Sequence, residues 1–216
     1  MTESLLPARF FFRFAAGCSY HPKAADAELE EGYRLPTFSE IEAQQPFADV
    51  RAGWNTDGLA FSVAIEQKKH PCWCRENKLE DSDGIQLWID TRDTHNIHRA
   101  SRFCHRFIFL PFGGGRSFEN PVADQLLIDR ARENANPVRP GHLRVQTDKL
   151  KSGYRMRMFI PAGALTGFNP DDHPRLGFTY AIFDREFGEQ TFSVGSEFPY
   201  QVDPSLWGTL ELLRSK

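Results

Sequence analysis

SDGIQLWIDTRDTHNIHRASRFCHRFIFLP, residues 82–111, begins as one β-strand and ends as another. In its first half Ile85, Leu87 and Ile89 alternate with Gln86, Trp88 and Asp90. That period of two is the mark of a strand with an apolar inner face and a more polar outer one. In its second half Phe103, His105, Phe107 and Phe109 alternate with Cys104, Arg106, Ile108 and Leu110. Between the two lies a polar connection carrying His95, His98, Arg92, Arg99 and Arg102. It reads either as a plain hairpin connection or as a reactive or ligand-holding insert.

The same alternation recurs on both sides of this stretch. LAFSVAIE (59–66) places Leu59, Phe61, Val63 and Ile65 on one face. YRMRMFI (154–160) sets Tyr154, Met156, Met158 and Ile160 against Arg155, Arg157 and Phe159. LGFTYAIF (176–183) sets Leu176, Phe178, Tyr180 and Ile182 against Gly177, Thr179, Ala181 and Phe183. HLRVQTD (142–148), WGTLELL (207–213) and an early FFFRF (10–14) read as further strands. Helical periodicity is scarce. Residues 37–45, with Ser39 as N-cap, and residues 161–166, with Pro161 at the first position, predict short turns of helix. The glycine-rich PFGGGRSF (111–118) lacks the Lys-Ser/Thr and following helix of a phosphate loop and predicts a hairpin turn. Many strands separated by Gly, Pro, Asp and Asn predict an all-β chain: an antiparallel β-sandwich, jelly-roll-like with immunoglobulin-like layers, plus one or two short helices.

The chain has 216 residues, a length that one sandwich or barrel can fill, and shows no linker or repeat, so a single domain over 1–216 is expected. Its 19 phenylalanines supply large buried surfaces. A net charge of -3 gives no global field for nucleic acid or anionic membrane. No run approaches the roughly 20 apolar residues of a membrane helix. Arg9 and Arg13 interrupt the apolar start, so no signal peptide is visible. A cytoplasmic protein with reduced Cys18, Cys72, Cys74 and Cys104 is the default, and a secreted form with its signal removed is the alternative.

Two stretches carry a family resemblance. WNTDGLAFSVAIE (54–66) leading to DSDGIQLWID (81–90) is one; GYRMRMFIPAGALTGF (153–168), RLGFTYAIFD (175–184) and VDPSLWGTLEL (202–212) form the other. In order and spacing they resemble the carbohydrate-binding module family 9-like domains and the related DOMON superfamily, over about residues 45–213, which leaves residues 1–44 as an N-terminal extension. The resemblance implies a jelly-roll-like sandwich, sugar binding as in some members, and haem or another ligand as in DOMON relatives. The insert HNIHRASRFCHR (95–106) departs from that pattern, and the aromatic clamp of the sugar-binding members has no assigned counterpart here.

Candidate site residues follow from these faces. Gln86, Trp88 and Asp90, with Arg155 and Arg157 and with Arg99 and His105 from the insert, are the expected ligand-binding set. An aromatic ring takes the C–H face of a sugar while planar polar groups bond its hydroxyls, and arginine rows suit carboxylates. Here the competing expectation is a solvated outer face with arginine stems over Trp88. The loop tryptophans Trp54 and Trp73 are either platforms or plugs. His95, His98, Cys104 and His105 are the candidate metal ligands, although their spacing fits no zinc template and adjacent Cys104 and His105 point to opposite faces of a strand. Cys-x-Cys in HPCWC (70–74) is a short half-site. Asp81, Asp83, Asp90 and Asp93 offer hard oxygens. Calcium and zinc are therefore the candidate ions. No Gly-x-Ser-x-Gly or His-Glu-x-x-His occurs, so the leading expectation is a non-catalytic binding domain for carbohydrate or another small polar ligand. The alternative is a metal- or haem-associated domain, with or without enzymatic activity, built on 95–105; a protein-interaction platform is a third.

Overall fold

In the computed structural model the described residues are 8–38 and 45–214. The helical turn expected at 37–45 falls mostly outside them. The alternating segments all form strands: β1 Ala15–Tyr20, β2 Ala48–Asn55, β3 Gly58–Glu66, β4 Gly84–Asp90, β5 Cys104–Gly114, β6 Asn120–Leu126, β7 Arg144–Leu150, β8 Gly153–Pro161, β9 Arg175–Asp184, β10 Gly188–Thr191 and β11 Gly208–Leu213. Helical structure among the described residues is confined to single 3-10 turns, one of them Ala162–Ala164, where Pro161 stands at the N-cap rather than inside the turn.

The strands form one sheet in the order β6-β5-β4-β9-β11-β1-β2-β3-β8-β7, with β10 added to β9. Its two ends, β6 and β7, approach each other, so the sheet nearly closes into a barrel. Most pairs are antiparallel, as expected. The exception is β1, which runs parallel to both β11 and β2. A parallel neighbour needs a long crossover, and residues 21–47 provide it between β1 and β2. The N-terminal residues thus supply a strand of the sheet. They do so one step later than FFFRF suggested. Ala8–Phe11 is a 3-10 turn, Phe10, Phe11 and Phe12 are exposed, and only Phe14 enters the core. A run of aromatics without alternation has no second face to give to solvent.

The inner core is aromatic and aliphatic throughout. Leu59, Phe61, Val63 and Ile65 of β3 meet Ile85, Leu87 and Ile89 of β4 and Phe107 and Phe109 of β5 in one cluster. Phe61 stacks on Phe178 of β9 across the barrel, with ring centroids 5.7 Å apart. Trp54 is fully buried in β2 and donates its indole N–H to the Leu213 carbonyl at 3.2 Å, so it is a core residue and not a loop platform.

A second core covers the outer face of β4, β5 and β9. Trp88, Cys104 and Ala181 pack there with Ala100, Ile128, Val194, Tyr200 and Trp207. The covering layer comes from the connection after β4 and from the segment between β10 and β11. Every residue of β4 is consequently buried. Alternation distinguishes the two faces of a strand; it does not say that the second one is open to water.

Candidate functional site

The expected ligand-binding set does not share one surface. Gln86, Trp88 and Asp90 lie on β4, whereas Arg155 and Arg157 lie on β8, six strands away along the sheet. Trp88 is fully buried, donates to the Gln201 carbonyl at 3.1 Å and meets Tyr200 edge-on at 5.3 Å. Gln86 Oε1 accepts from the Arg106 guanidinium at 3.0 and 2.6 Å, and that guanidinium lies 5.3 Å from the Trp88 ring and also pairs with Glu80. Asp90 is used locally: its oxygens accept from the backbone N–H of Arg92 at 3.0 Å and Thr94 at 2.8 Å, while burial raises its carboxyl above the usual range. Arg99 donates to the Arg130 carbonyl at 2.8 Å. Arg155 pairs with Glu28 at 3.2 Å and Arg157 with Asp148 at 3.0 Å, both beside a shallow charged cleft of about 310 Å³ on the outer face of β2, β3 and β8.

The polar side chains of the insert have local partners. His95 Nε2 lies 2.8 Å from Asp93 and 3.0 Å from Thr209 Oγ1. His98 Nδ1 lies 3.1 Å from Asp203 and is exposed. Cys104 is buried in the outer core, and His105 points into the barrel. The four candidate metal ligands therefore have separate partners and separate surroundings. Asp83 and Asp90 stand at opposite ends of the seven-residue strand β4, roughly 20 Å apart at the usual rise, so the acidic group around that strand does not converge.

His105 is nearly inaccessible, stacks at 5.8 Å on Phe107, and accepts the Thr166 N–H at Nε2 from 3.0 Å; its Nδ1 has no partner among the described residues. Burial lowers its pKa from 6.5 to about 4. The unfolded chain takes up this proton near pH 6.5 and the folded one only near 4, so the contribution is complete above 6.5 and is lost as pH falls from 6.5 to 4. The loss expected from this group is about 3 kcal/mol. Urea midpoints between pH 7 and 4 measure it, and His105→Gln is expected to flatten that part of the profile.

The groups that do converge lie at the opposite end of β4. There the connection between β3 and β4 meets the β9–β10 turn, the end of β5 and the β7–β8 turn. Asp83 is buried, with Oδ2 accepting the Trp73 N–H at 3.0 Å and Oδ1 the Arg185 N–H at 3.1 Å. Asp184 accepts the N–H of Glu186 and Phe187 at Oδ1 and forms a buried ion pair with Lys68 through Oδ2. Cys72, Asp83 and Asp184 offer donor atoms that lie within 4.8 Å of one another. All four cysteines are free thiols; burial pushes Cys72, Cys74 and Cys104 up to about 12 and Cys18 further.

Above this cluster opens a groove of about 550 Å³, whose lining includes Lys69, His70, Phe112, Phe118, Lys149 and Lys151. Phe118 is 46% exposed at the tip of the β5–β6 hairpin, with the Arg75 guanidinium 4.6 Å from its ring. Its φ of 57° is unusual for a bulky residue and is often held at a working position. Trp73 is half-buried nearby, and Arg185 stacks on it at 3.8 Å. At the base of the groove the β7–β8 turn requires Gly153: a Cβ there would stand 1.9 Å from the Ile65 carbonyl oxygen. The connection between β3 and β4 brings Lys69, His70 and Cys72 to this end of the molecule. Nothing in the sequence pairs it with residues 112–119 and 147–153.

The fold and the groove define a class: a nearly closed β-structure with a loop-end cleft and without long helices among the described residues. Solved structures share the fold. A carbohydrate binding module family 9 from Caldicellulosiruptor kristjanssonii in complex with cellotriose matches with a TM-score of 0.60 at 12% identity, over 94% of this chain and 95% of its own. The same module in complex with glucose matches with a TM-score of 0.62 at 12% identity, over 94% and 97%. A structure from Bacteroides uniformis matches with a TM-score of 0.57 at 10% identity, over 94% and 100%. No family model and no curated protein matches the sequence.

Proposed function

We propose that this chain is a non-catalytic carbohydrate-binding domain and that the sugar lies in the loop-end groove. The observation that carries the location is the groove itself, which sets an exposed aromatic ring, Phe118, among the cations Lys69, Lys149 and Lys151. A ring offers its face to the C–H side of a pyranose, and ammonium groups donate to hydroxyls and carboxylates. The ligand class is supported by the shared fold with a module solved with cellotriose and with glucose. Glu119 is the one carboxylate in the groove lining, so the cationic balance favours a sugar bearing carboxylate or sulfate groups. The Arg155–Arg157 cleft is the competing location, with both arginines already paired to carboxylates and no aromatic ring in its lining.

Calorimetry with an oligouronide and a neutral gluco-oligosaccharide tests this reading. Phe118→Ala is expected to lower oligouronide affinity about tenfold or more, in line with an aromatic contact worth about 1–2 kcal/mol. Its folding stability should stay within about 1 kcal/mol of the parent, as for a surface substitution. Arg155→Ala is expected to leave binding unchanged. The reverse pattern would move the sugar to the β8 cleft.

A further inference from the structure

We propose that Cys72, Asp83 and Asp184 form a binding site for a thiophilic divalent cation, with zinc the ion that fits. The donor set is one thiol and two carboxylates, and the three atoms lie within 4.8 Å of one another. Around tetrahedral zinc such atoms sit about 3.5 Å apart, so side-chain rotations of roughly 1 Å close the shell. Calcium and magnesium call for six or more oxygens or for several retained waters, which this set does not offer. The carboxylates are already oriented. Two backbone N–H groups hold Asp83 and two hold Asp184, leaving Asp184 Oδ2 turned to the cation position now taken by the Lys68 ammonium. Fixed outer partners of this kind are what a metal site needs around its ligands.

A second, independent feature points into the same place. The Tyr154 side chain is fully buried against Phe112, its hydroxyl has no hydrogen-bond partner among the described residues, and the carboxylates that act on it are those of Asp184 and Asp83. A buried hydroxyl left unsatisfied is costly, and Tyr154 is the polar group left to complete the shell. Charge agrees. Two buried carboxylates against one ammonium leave one negative charge in the interior. A divalent ion that enters as the Cys72 proton leaves adds one positive charge to the cluster. Lys68 has a second carboxylate to turn to, Glu186, at 4.0 Å. Cys74 donates its S–H to the Asp83 carbonyl at 3.3 Å and is not among the ligands.

Cobalt(II) titration of the metal-free, reduced protein tests the proposal without any sugar present, so a blank glycan result leaves it untouched. The expected result is a near-ultraviolet thiolate-to-cobalt charge-transfer band that saturates at one ion per chain and disappears on adding zinc. Cys72→Ser is expected to abolish the band and Cys104→Ser to keep it. Tyr154→Phe is expected to retain the band and weaken cobalt binding. Absence of a band in the folded wild-type protein would overturn the site, and so would a band that survives Cys72→Ser.

Discussion

Trp88→Ala is expected to lower folding stability by about 3–5 kcal/mol, the usual cost of deleting a large buried aromatic. For a chain of this size that is a fall in Tm of roughly 6–20 °C. The ring is fully buried, its N–H is committed to the Gln201 carbonyl, and Tyr200 and the Arg106 guanidinium rest against it. Removing it opens a void in the outer core and leaves that carbonyl without its donor. Chemical denaturation checks the magnitude. A variant that stays as stable as the parent and loses only ligand binding would show that Trp88 faces a ligand and would contradict the layer that covers β4.

Lys68→Met is expected to be the second large effect. The substitution keeps the stem and removes the ammonium that pairs with Asp184. The side chains of both residues are almost inaccessible, at 4% and 0%. Breaking a buried pair by deleting one partner typically costs about 3–5 kcal/mol, because the remaining charge is left without compensation. Thermal unfolding in the presence of a chelator is the measurement. A change below about 0.5 kcal/mol would mean that solvent reaches Asp184 and that the pair lies open at the surface.

The two variants mark where the sequence was legible and where it was not. Alternation identified β3, β4, β8 and β9 and assigned their inner faces correctly, because the inner core is a local, period-two property of each strand. The near-closure of the sheet and the parallel insertion of β1 depend on which strands pair, which no single strand records. The outer face of β4 looked polar because Gln86 and Asp90 flank Trp88. Both find buried partners, Arg106 for Gln86 and local backbone N–H groups for Asp90, so a polar alternate face became interior. The His- and Arg-rich insert drew attention by composition, yet its side chains are used one by one: His95 on Asp93 and Thr209, His98 on Asp203, Arg99 on a carbonyl. HPCWC and Asp83 were visible as metal-type residues. Their third partner, Asp184, is the last residue of β9 a hundred residues later, and nothing local joins the two stretches.

A β-scaffold with a fixed groove suits recognition without chemistry. The groove is formed by connections at one end of the barrel, where side chains can differ without disturbing the core that holds them. The Lys68–Asp184 pair and the buried Asp83 tie two of those connections, β3–β4 and β9–β10, together directly below it. The same β3–β4 connection reaches the β7–β8 turn through the Lys68 N–H on the Ser152 carbonyl at 3.2 Å and the end of β5 through the Glu76 N–H on the Gly113 carbonyl at 3.3 Å.

The most direct measurement is a glycan array probed in parallel with the folded wild-type protein and with Phe118→Ala. The account predicts hits that soluble sugar competes away, concentrated on acidic glycans and lost in the variant. A blank array for the folded wild type, or hits that Phe118→Ala leaves unchanged, would contradict it.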